Sequence, residues 1–327
     1  DQLTDGEIGV LGSPEEVSAI GFKAVLGPAG AHRVDHALLD EMEALQAVAP
    51  AHNPIYVKAM RTLFERFPTL PLVAAFEVTF HRSIPEARQR YAIPNHWATE
   101  LGVRRWGYHG ASHRYIAERM ATLLGRSDAR IISCHLGGSS SLCAIKNGQS
   151  IGCSLGMSPQ SGLPHNNRVG DFDVFALPLI LGRTGQTLEQ VLDTLANRSG
   201  LEGLSGYRDL RDIEAAAESG DPGATLAIQV FVESIRDYLG AFLVALGGAE
   251  AIVFTGGIGE NSTVIRRGVC RELGWFGIEL DAVANASANG EAVVSSQASR
   301  VQLWTVPTNE EIIVARQARE VLLGSAS

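Results

Sequence analysis

Thr255-Gly256-Gly257-Ile258-Gly259-Glu260-Asn261 interrupts the chain between an apolar run and a helical pattern. The run before it, Ala251-Ile252-Val253-Phe254, predicts a buried strand, and the residues from 264 onward predict a helix. Glycines let the backbone approach a ligand closely, and a helix N-terminus offers free N–H groups and the positive end of a dipole. The stretch is neither a Walker loop nor a regular GxGxxG turn. It favours nucleotide binding, and an ordinary strand-to-helix turn is the alternative.

Composition places the chain among globular proteins of two domains. It has 327 residues, of which 45% are hydrophobic, and a formal net charge of -9 from 27 basic and 36 acidic side chains. This length suits two domains with sizeable cores. The acidic balance argues against nucleic-acid and membrane-surface binding, since both need a basic face. A few local arginines are still enough to bind an anionic substrate.

Cysteine usage and the lack of a leader predict the compartment. The four cysteines form no CxxC pair, which favours small buried side chains in a reducing environment. We find neither a signal peptide nor a membrane-spanning run in the sequence. These observations predict a cytoplasmic protein that does not engage a membrane.

Hydrophobic periodicity predicts an α/β or α+β architecture that contains a three-stranded meander. Strands over residues 131–136, 142–145 and 149–154 are joined by a Gly/Ser-rich turn at 137–141 and by the hairpin turn Asn147-Gly148. Further strands are predicted over residues 17–26, 71–78, 251–255 and 300–306. Helices are predicted over residues 38–48, 113–124, 174–181, 187–197, 213–217, 222–246 and 310–323, and from residue 53 onward.

The turn at 137–141 is a second candidate phosphate cradle. Backbone N–H groups and serine hydroxyls bind phosphate oxygens, although a plain surface loop explains the composition equally well. His135 lies just before it, and His109 and His113 lie in another polar stretch. Two histidines four apart with Gly110 between them do not suit a helical metal pair. We favour a phosphate or carboxylate clamp, with core or capping histidines as the alternative.

Arg168 stands among amides, a glycine and two carboxylates in Asn166-Asn167-Arg168-Val169-Gly170-Asp171-Phe172-Asp173. The planar, always-charged fork of arginine suits the oxygens of a phosphoryl group in transfer. The alternative is a capped loop in which Asp171 or Asp173 is the N-cap of the next helix.

Two carboxylates follow predicted strands. Glu77 ends the apolar strand at 72–76, where α/β proteins commonly place their sites, and Glu310 follows the strand that ends at Val306. Glu310 could hold Mg²⁺, usually through water. The alternatives are a carboxylate at the rim and a capping acid of the last helix. Together, the phosphate turns, one arginine and two carboxylates are the groups that Mg-dependent phosphoryl transfer needs.

These residues, in this order, resemble the acetate kinase family, the acetate and propionate kinases of the actin-like ATPase superfamily. The resemblance runs from about Ile20 to the C-terminus. It rests on the segments Ala49-Pro50-Ala51-His52-Asn53-Pro54, Gly107-Tyr108-His109-Gly110-Ala111-Ser112-His113-Arg114-Tyr115, Cys134-His135-Leu136-Gly137, Ala144-Ile145-Lys146-Asn147-Gly148, Ser199-Gly200-Leu201, Arg211-Asp212-Ile213-Glu214, Phe254 through Asn261, and Pro307-Thr308-Asn309-Glu310-Glu311.

The resemblance implies an α/β, duplicated actin-like (ribonuclease H-like) fold of two domains with the active site in a cleft. Residues 1–77 with 310–327 would form the first domain, and residues 78–309 the second. It also implies a homodimer. The implied reaction is the reversible, Mg²⁺-dependent transfer of the γ-phosphoryl group of ATP to a short-chain carboxylate such as acetate or propionate, which gives an acyl phosphate and ADP.

The resemblance further assigns roles to individual residues. The catalytic residues are Arg168, Glu77 and His109; Lys23 and His52 lie on the substrate side, and Glu310 is associated with the metal ion. The residues implied to bind ATP or ADP are His135, Gly137, Gly138, Asp209, Leu210, Arg211, Gly256, Gly257, Gly259 and Asn261.

Departures from the family pattern leave alternatives open. The family's N-terminal phosphate turn has no counterpart, so we expect the first domain to be truncated. Lys23 replaces an arginine and loses its bidentate fork; Glu77 replaces an aspartate, and a displacement of about 1 Å can cost roughly 100-fold in rate. A divergent, weakly active or inactive nucleotide-binding homologue with a regulatory or partner role is one alternative. A kinase of another small substrate is the other.

Overall fold

The computed structural model of the chain describes residues 4–7, 9–46 and 52–324. It divides into two compact units, Asp1–Thr79 with Asn309–Ser327 and Phe80–Thr308, which we call unit 1 and unit 2. The end of the helix predicted over 38–48 and the first residues of the motif that begins at Ala49 lie outside the described residues. That the units are two copies of one domain stays a prediction.

The secondary structure alternates strands and helices in both units. The strands are β1 (Ile20–Ala24), β2 (Ala31–Arg33), β3 (Leu72–Phe76), β4 (Arg130–His135), β5 (Ser141–Lys146), β6 (Gln149–Cys153), β7 (Ala251–Thr255), β8 (Ala292–Val293) and β9 (Gln302–Thr305). The helices are α1 (His36–Ala44), α2 (Asn53–Arg66), α3 (Glu86–Gln89), α4 (Asn95–Thr99), α5 (Gly110–Leu123), α6 (Ala176–Thr184), α7 (Leu188–Asn197), α8 (Gly200–Ser205), α9 (Leu210–Glu218), α10 (Pro222–Leu246), α11 (Gly256–Asn261), α12 (Thr263–Cys270), α13 (Ala282–Ser287) and α14 (Glu310–Leu322). Short 3₁₀ turns cover Pro14–Glu16, Glu77–Ser83 and Gly274–Phe276.

Unit 1 contains a three-stranded sheet in the order β1-β3-β2. β1 runs parallel to the central strand β3, and β2 runs antiparallel to it. All five residues of β3 are buried, which explains its uninterrupted apolar sequence, because a central strand covered on both faces has no polar side. Lys23 on β1 and Glu77 after β3 therefore lie at the same end of two paired strands.

Unit 2 contains a six-stranded sheet in the order β6-β5-β4-β7-β9-β8. β4, β5 and β6 form the predicted antiparallel meander, and β7 and β9 extend it in parallel with β4. His135 lies opposite Thr255 in the register of β4 and β7. Because the carboxyl ends of parallel strands share one edge of a sheet, the two glycine-rich turns begin side by side.

A long helix covers one face of the unit 2 sheet. α10 begins at Pro222 behind the N-cap Asp221, whose carboxylate accepts the N–H of Ala224, and it ends at Gly247 in the left-handed region. Its buried side chains, such as Phe231 and Phe242, pack into a core that includes residues of β4, β5 and β7. α5 packs against the same strands through Ile116 and Met120 in a second cluster. Both clusters thus pack against β4 and β7, the strands that lead into the two glycine-rich turns.

The sequence located most elements and missed the short ones. The meander, α10 and α14 are confirmed, whereas β1 is shorter than the strand predicted over 17–26. β2 was not predicted, because a three-residue strand with the polar residues His32 and Arg33 shows no alternation. β8, with two residues, is missed for the same reason. Within the described ranges, no helix has the length and apolar character needed to cross a membrane.

Candidate functional site

A cavity of about 610 Å³ opens beside the carboxyl ends of β4 and β7 in unit 2. This volume lies within the range of small-ligand sites, about 300–1,000 Å³. Seven of the ten residues that the resemblance assigns to ATP or ADP line it, namely Gly137, Gly138, Asp209, Leu210, Arg211, Gly257 and Asn261. The other three, His135, Gly256 and Gly259, support the adjoining backbone. Asn166, Glu214 and Ser262 also line the cavity and were not predicted.

The glycine turn after β7 is itself helical. α11 begins at Gly256, whose φ of +75° and whose close approach to the Leu136 carbonyl (a Cβ would lie 2.7 Å from its oxygen) require glycine. That carbonyl accepts the N–H groups of Ile258 at 2.9 Å and Gly259 at 3.1 Å. These two N–H groups therefore join α11 to the end of β4. The turn thus folds back onto the neighbouring strand.

Arg266 on α12 supports α11 from within the protein. Its side chain is buried, and it donates hydrogen bonds to the carbonyl oxygens of Gly259 at 2.9 Å and Glu260 at 2.7 Å. It also donates to Asn285 through Nε and Nη2. Burial lowers the pKa of Arg266. This role could not be predicted from the sequence, since an arginine on an amphipathic helix normally faces solvent.

The Gly/Ser turn after β4 is fixed by a buried histidine. The backbone N–H of Ser140 donates to Nδ1 of His165 at 2.9 Å, so the proton of this imidazole lies on Nε2, which faces the Ser161 carbonyl at 3.4 Å. Burial, with a smaller contribution from the Arg168 charge, lowers the pKa of His165 to about 3. His165 is therefore neutral near neutral pH, and it was not predicted as a site residue.

Arg168 lies beside this turn. Its Nη1 is 3.3 Å from Oγ of Ser139 and 3.2 Å from the Pro159 carbonyl oxygen. Gly200, at the start of α8 with a φ of +62°, packs directly against this segment, since a Cβ there would lie 2.5 Å from the Arg168 carbonyl oxygen. The structure thus brings Arg168 to one of the two predicted phosphate turns, and partial burial lowers the pKa of its guanidinium.

Asp209 and Arg211 form an ion pair at the rim of the cavity. The Asp209 carboxylate caps α9 by accepting the N–H of Arg211 at 2.9 Å, and it also accepts from Nε and Nη2 of the same side chain. These bonds lower the pKa of Asp209 to about 2. An exposed pair adds little to stability, so its place at the cavity is the more informative observation.

Four histidines of unit 2 are gathered around serine hydroxyls. His109, the N-cap residue of α5, has a left-handed backbone with a φ of +55°, so it lies outside the helix and cannot form a helical i,i+4 pair with His113. Nδ1 of His109 lies 2.8 Å from Oγ of Ser141. Its ring stacks on that of His135, with centroids 4.3 Å apart. His81 is buried nearby, against His113.

Lys23, Glu77 and Glu310 meet in unit 1. Nζ of Lys23 on β1 lies 2.8 Å from a carboxylate oxygen of Glu310, the first residue of α14, and 3.5 Å from one of Glu77. Burial alone would lower the pKa of Lys23, but the two carboxylates outweigh it and raise that pKa. Tyr56 on α2 faces the same group. His52 lies at the N-cap position of α2, one turn before Tyr56.

The two carboxylates bear on the metal prediction. Among the described residues, no three His, Cys, Asp or Glu side chains form a group able to hold a metal ion. Mg²⁺ does not require such a cage, because it keeps several waters and is bound through one or two carboxylates and the phosphates of a substrate. Glu77 and Glu310 already share one cation, the Lys23 ammonium. The residues present therefore fit a hydrated Mg²⁺.

Comparison with known proteins decides the family. A sequence model of the Acetokinase family matches residues 3–316. The chain belongs to the acetate kinase family. The acetate kinase of Carboxydothermus hydrogenoformans is 38% identical over 99% of this chain and 82% of its own length. The acetate kinase of Bacillus subtilis is 39% identical over 95% of this chain and 80% of its own length.

Solved structures of acetate and propionate kinases share the fold. The acetate kinase of Porphyromonas gingivalis superposes with a TM-score of 0.90 at 35% identity, covering 98% of this chain and 82% of that one. A propionate kinase from Francisella tularensis gives 0.89 at 33% identity, covering 93% and 79%. The family and the α/β fold class predicted from the sequence are confirmed. The roles of individual residues stay predictions.

Proposed function

We propose that this acetate kinase family member transfers the γ-phosphoryl group of ATP to a short-chain carboxylate, reversibly and by direct in-line displacement. A carboxylate oxygen of the substrate forms a bond to the γ-phosphorus, the bond from that phosphorus to the β,γ-bridging oxygen breaks, and ADP leaves. The products are an acyl phosphate and ADP. The observation that carries the proposal is the cavity beside β4 and β7, because residues from three separate sequence segments that resemble the family's nucleotide site line it together.

The nucleotide side of the reaction belongs to unit 2 in this proposal. Gly137, Gly138, Gly257 and Asn261 border the phosphates, and Asp209, Leu210 and Arg211 border the adenosine. Arg168 neutralises charge on the transferring phosphoryl oxygens, which is where a planar cation contributes most. His109 donates a hydrogen bond to the same group, with His135 stacked behind it.

The acyl side belongs to unit 1. Lys23 attracts the substrate carboxylate as a point charge, with Tyr56 of α2 facing it and His52 at the N-cap position of that helix. Glu77 and Glu310 orient Lys23 through the contacts of 3.5 and 2.8 Å. Glu310 would bind a hydrated Mg²⁺, which supplies charge neutralisation during transfer.

A hydroxamate assay for acyl phosphate tests the proposal. The chain is incubated with ATP and Mg²⁺ and with acetate, propionate or butyrate, and ATP binding is measured in parallel by calorimetry. We expect product, and the preferred acid will give the size of the acyl pocket. ATP binding without product from any acid would overturn the proposal in favour of a nucleotide-binding homologue, and product from a different acceptor would identify a kinase of another substrate.

We also propose that two copies pair through α6 and α7. No residue of α6 is buried, although the helix is strongly apolar, and Phe175 and Leu179 are 84% and 63% exposed. Leu188 and Leu192 of α7 extend this apolar face. Apolar patches of this kind on a soluble protein mark interaction surfaces. The homodimer implied by the family resemblance supplies a matching surface from a second copy.

Light scattering after size exclusion tests the pairing. Leu179→Glu should convert a dimer to a monomer, because a charge in an apolar contact is costly to desolvate. The matched control is Val244→Glu, at another exposed apolar position, on α10, which should leave the dimer intact. A monomeric wild-type chain, or a dimeric Leu179→Glu variant, would contradict the assignment.

For the compartment, we propose the cytoplasm, supported by the four free cysteines.

A further inference from the structure

A line of hydrogen bonds runs through the core of unit 2 and ends at His109. Oγ of Ser141 lies 2.8 Å from Nδ1 of His109 and 2.8 Å from Nε2 of His113. Nδ1 of His113 lies 2.9 Å from Oγ of Ser133. Ser133, Ser141 and His113 are completely buried, so no solvent water competes for these groups.

The chemistry of the groups allows two directions for this line. In the first, Ser133 donates to His113, His113 donates to Ser141, and Ser141 donates to Nδ1 of His109, which leaves the proton of neutral His109 on Nε2. In the second, every bond is reversed, and His109 carries its proton on Nδ1. A hydroxyl has one hydrogen and a neutral imidazole has one N–H. A mixed arrangement, in which Ser141 accepts from both histidines, would leave its buried hydroxyl hydrogen without an acceptor among its contacts in the described chain.

Ser133 distinguishes the two directions. In the first, its hydroxyl hydrogen is used by His113. In the second, Ser133 accepts from His113 and its own hydrogen needs another acceptor, but within the described chain its hydroxyl has no hydrogen-bond partner other than His113. A buried donor without an acceptor carries the full desolvation penalty. Neutral His113 is required in both directions, and burial, with His81 and His135 nearby, lowers its pKa well below the usual range.

We propose that Ser133, His113 and Ser141 are positioning residues that hold His109 as the Nε2–H tautomer. The ring edge opposite Ser141 then presents an N–H donor and not a lone pair. This inference rests on the proposed function only for its purpose, because an N–H at Nε2 can donate to a phosphoryl oxygen whereas a lone pair there would repel it. The tautomer itself follows from the contacts.

Nitrogen-15 NMR of the imidazole rings in the full chain tests the tautomer without any need for activity. The chain has nine histidines, and the His109 signals are identified by their loss in His109→Gln. We expect the wild-type His109 ring to show the Nε2–H pattern at neutral pH. The Nδ1–H pattern would overturn the proposal, whatever the enzyme's activity.

Two variants test whether the line sets the tautomer. Ser141→Ala removes the donor to His109, and Ser133→Ala removes the first donor while leaving every hydrogen bond of His109 in place. Both should shift the His109 signals toward a mixture of tautomers, and both should lower kcat by about 10-fold or more, as loss of an outer supporting bond commonly does. If the His109 signals stay unshifted in either folded variant, the line of hydrogen bonds does not set the tautomer and the proposal is refuted.

The matched control is Ser150→Ala. Ser150 is an equally buried serine on the same meander, and its Oγ lies 2.9 Å from Nδ1 of a different histidine, His81. This change should leave the His109 signals and kcat within about twofold of the wild type, since a cut outside the line does not alter its direction. If the wild type shows the Nε2–H tautomer but forms no acyl phosphate, the proposed function fails while the positioning role stands. If Ser150→Ala shifts the His109 signals as Ser141→Ala does, the effect does not depend on the line of hydrogen bonds, and the proposal is refuted.

Discussion

The guanidinium of Arg168 lies beside the Gly/Ser turn with hydrogen bonds only to Ser139 and to a backbone carbonyl in the described structure. It has no acidic side chain as a partner there, so its charge is available to an anion. Arg168→Ala should lower kcat by about 10³-fold or more, the usual effect of removing an arginine from a phosphoryl-transfer site. ATP affinity should stay within about fivefold, because the interaction forms mainly in the transition state.

The hydroxamate assay and calorimetry of ATP binding check this prediction together. Arg267→Ala is the control, since Arg267 is an exposed arginine on α12 of the same unit, and it should behave as the wild type in both measurements. Unchanged turnover in Arg168→Ala would remove Arg168 from the mechanism.

Lys23 is shorter than the arginine that the family pattern has at its position, and Glu77 is longer than the family's aspartate. The structure shows Lys23 and Glu77 in contact. The distance from Nζ to the nearest Glu77 oxygen is 3.5 Å, so a shorter carboxylate would lose this contact. Glu77→Asp alone should lower kcat/KM by about 10- to 100-fold, as misplacement by about 1 Å does. Lys23→Arg combined with Glu77→Asp should recover part of the loss, because the longer arginine fork reaches the shorter carboxylate.

A double-mutant cycle on kcat/KM measures the coupling. We expect an interaction free energy of about 1 kcal/mol or more between the two positions, as for residues in direct contact. Losses that simply add would show that the two changes are independent. An activity of Glu77→Asp above the wild type would show that Glu77 is an ill-fitting substitute for aspartate.

At the scale of elements, α11 is held in place by the side chain of Arg266. Arg266→Ala would remove the donor from three backbone carbonyls, those of Gly259, Glu260 and Asn285, and from the Asn285 side-chain oxygen in a buried region. We expect the free energy of unfolding to fall by about 3 kcal/mol, with weaker ATP binding because α11 borders the cavity. Urea denaturation measures the first effect and calorimetry the second.

The control for this prediction lies on the same helix. Arg267→Ala removes an exposed arginine and should change the free energy of unfolding by no more than about 0.5 kcal/mol. Equal effects of the two substitutions would show that Arg266 contributes through general charge and not through its buried hydrogen bonds.

The elements also show what a sequence can reveal. The strand–glycine–helix pattern at 251–270 and the meander at 130–153 follow from local rules on periodicity and turns, and both were predictable. The use of the Ile258 and Gly259 N–H groups by the Leu136 carbonyl was not, because it joins segments about 120 residues apart in sequence. His165 and Arg266 escaped notice for the same reason, since their roles depend on partners that only the fold brings near.

At the scale of the whole molecule, unit 2 buries several titratable imidazoles. Burial lowers the pKa of His81 to about 4 and that of His165 to about 3, and it lowers that of His113 well below its usual value. In the unfolded chain these side chains bind protons at about pH 6.5. Below that pH the unfolded state therefore takes up more protons than the folded state, and acid favours unfolding.

This difference predicts how stability depends on pH. Between about pH 6.5 and about pH 4, each such histidine should make the free energy of unfolding fall by about 1.4 kcal/mol per pH unit of acidification. His165→Asn removes one titrating group while its amide oxygen can still accept the Ser140 N–H, so its stability curve should be flatter than that of the wild type by about that amount. Urea denaturation at several pH values measures the slopes, with His96→Asn, at an exposed position, as the matched substitution. Parallel curves for His165→Asn and the wild type would mean that His165 takes up its proton in the folded protein, which would require that the Ser140 N–H does not donate to its Nδ1.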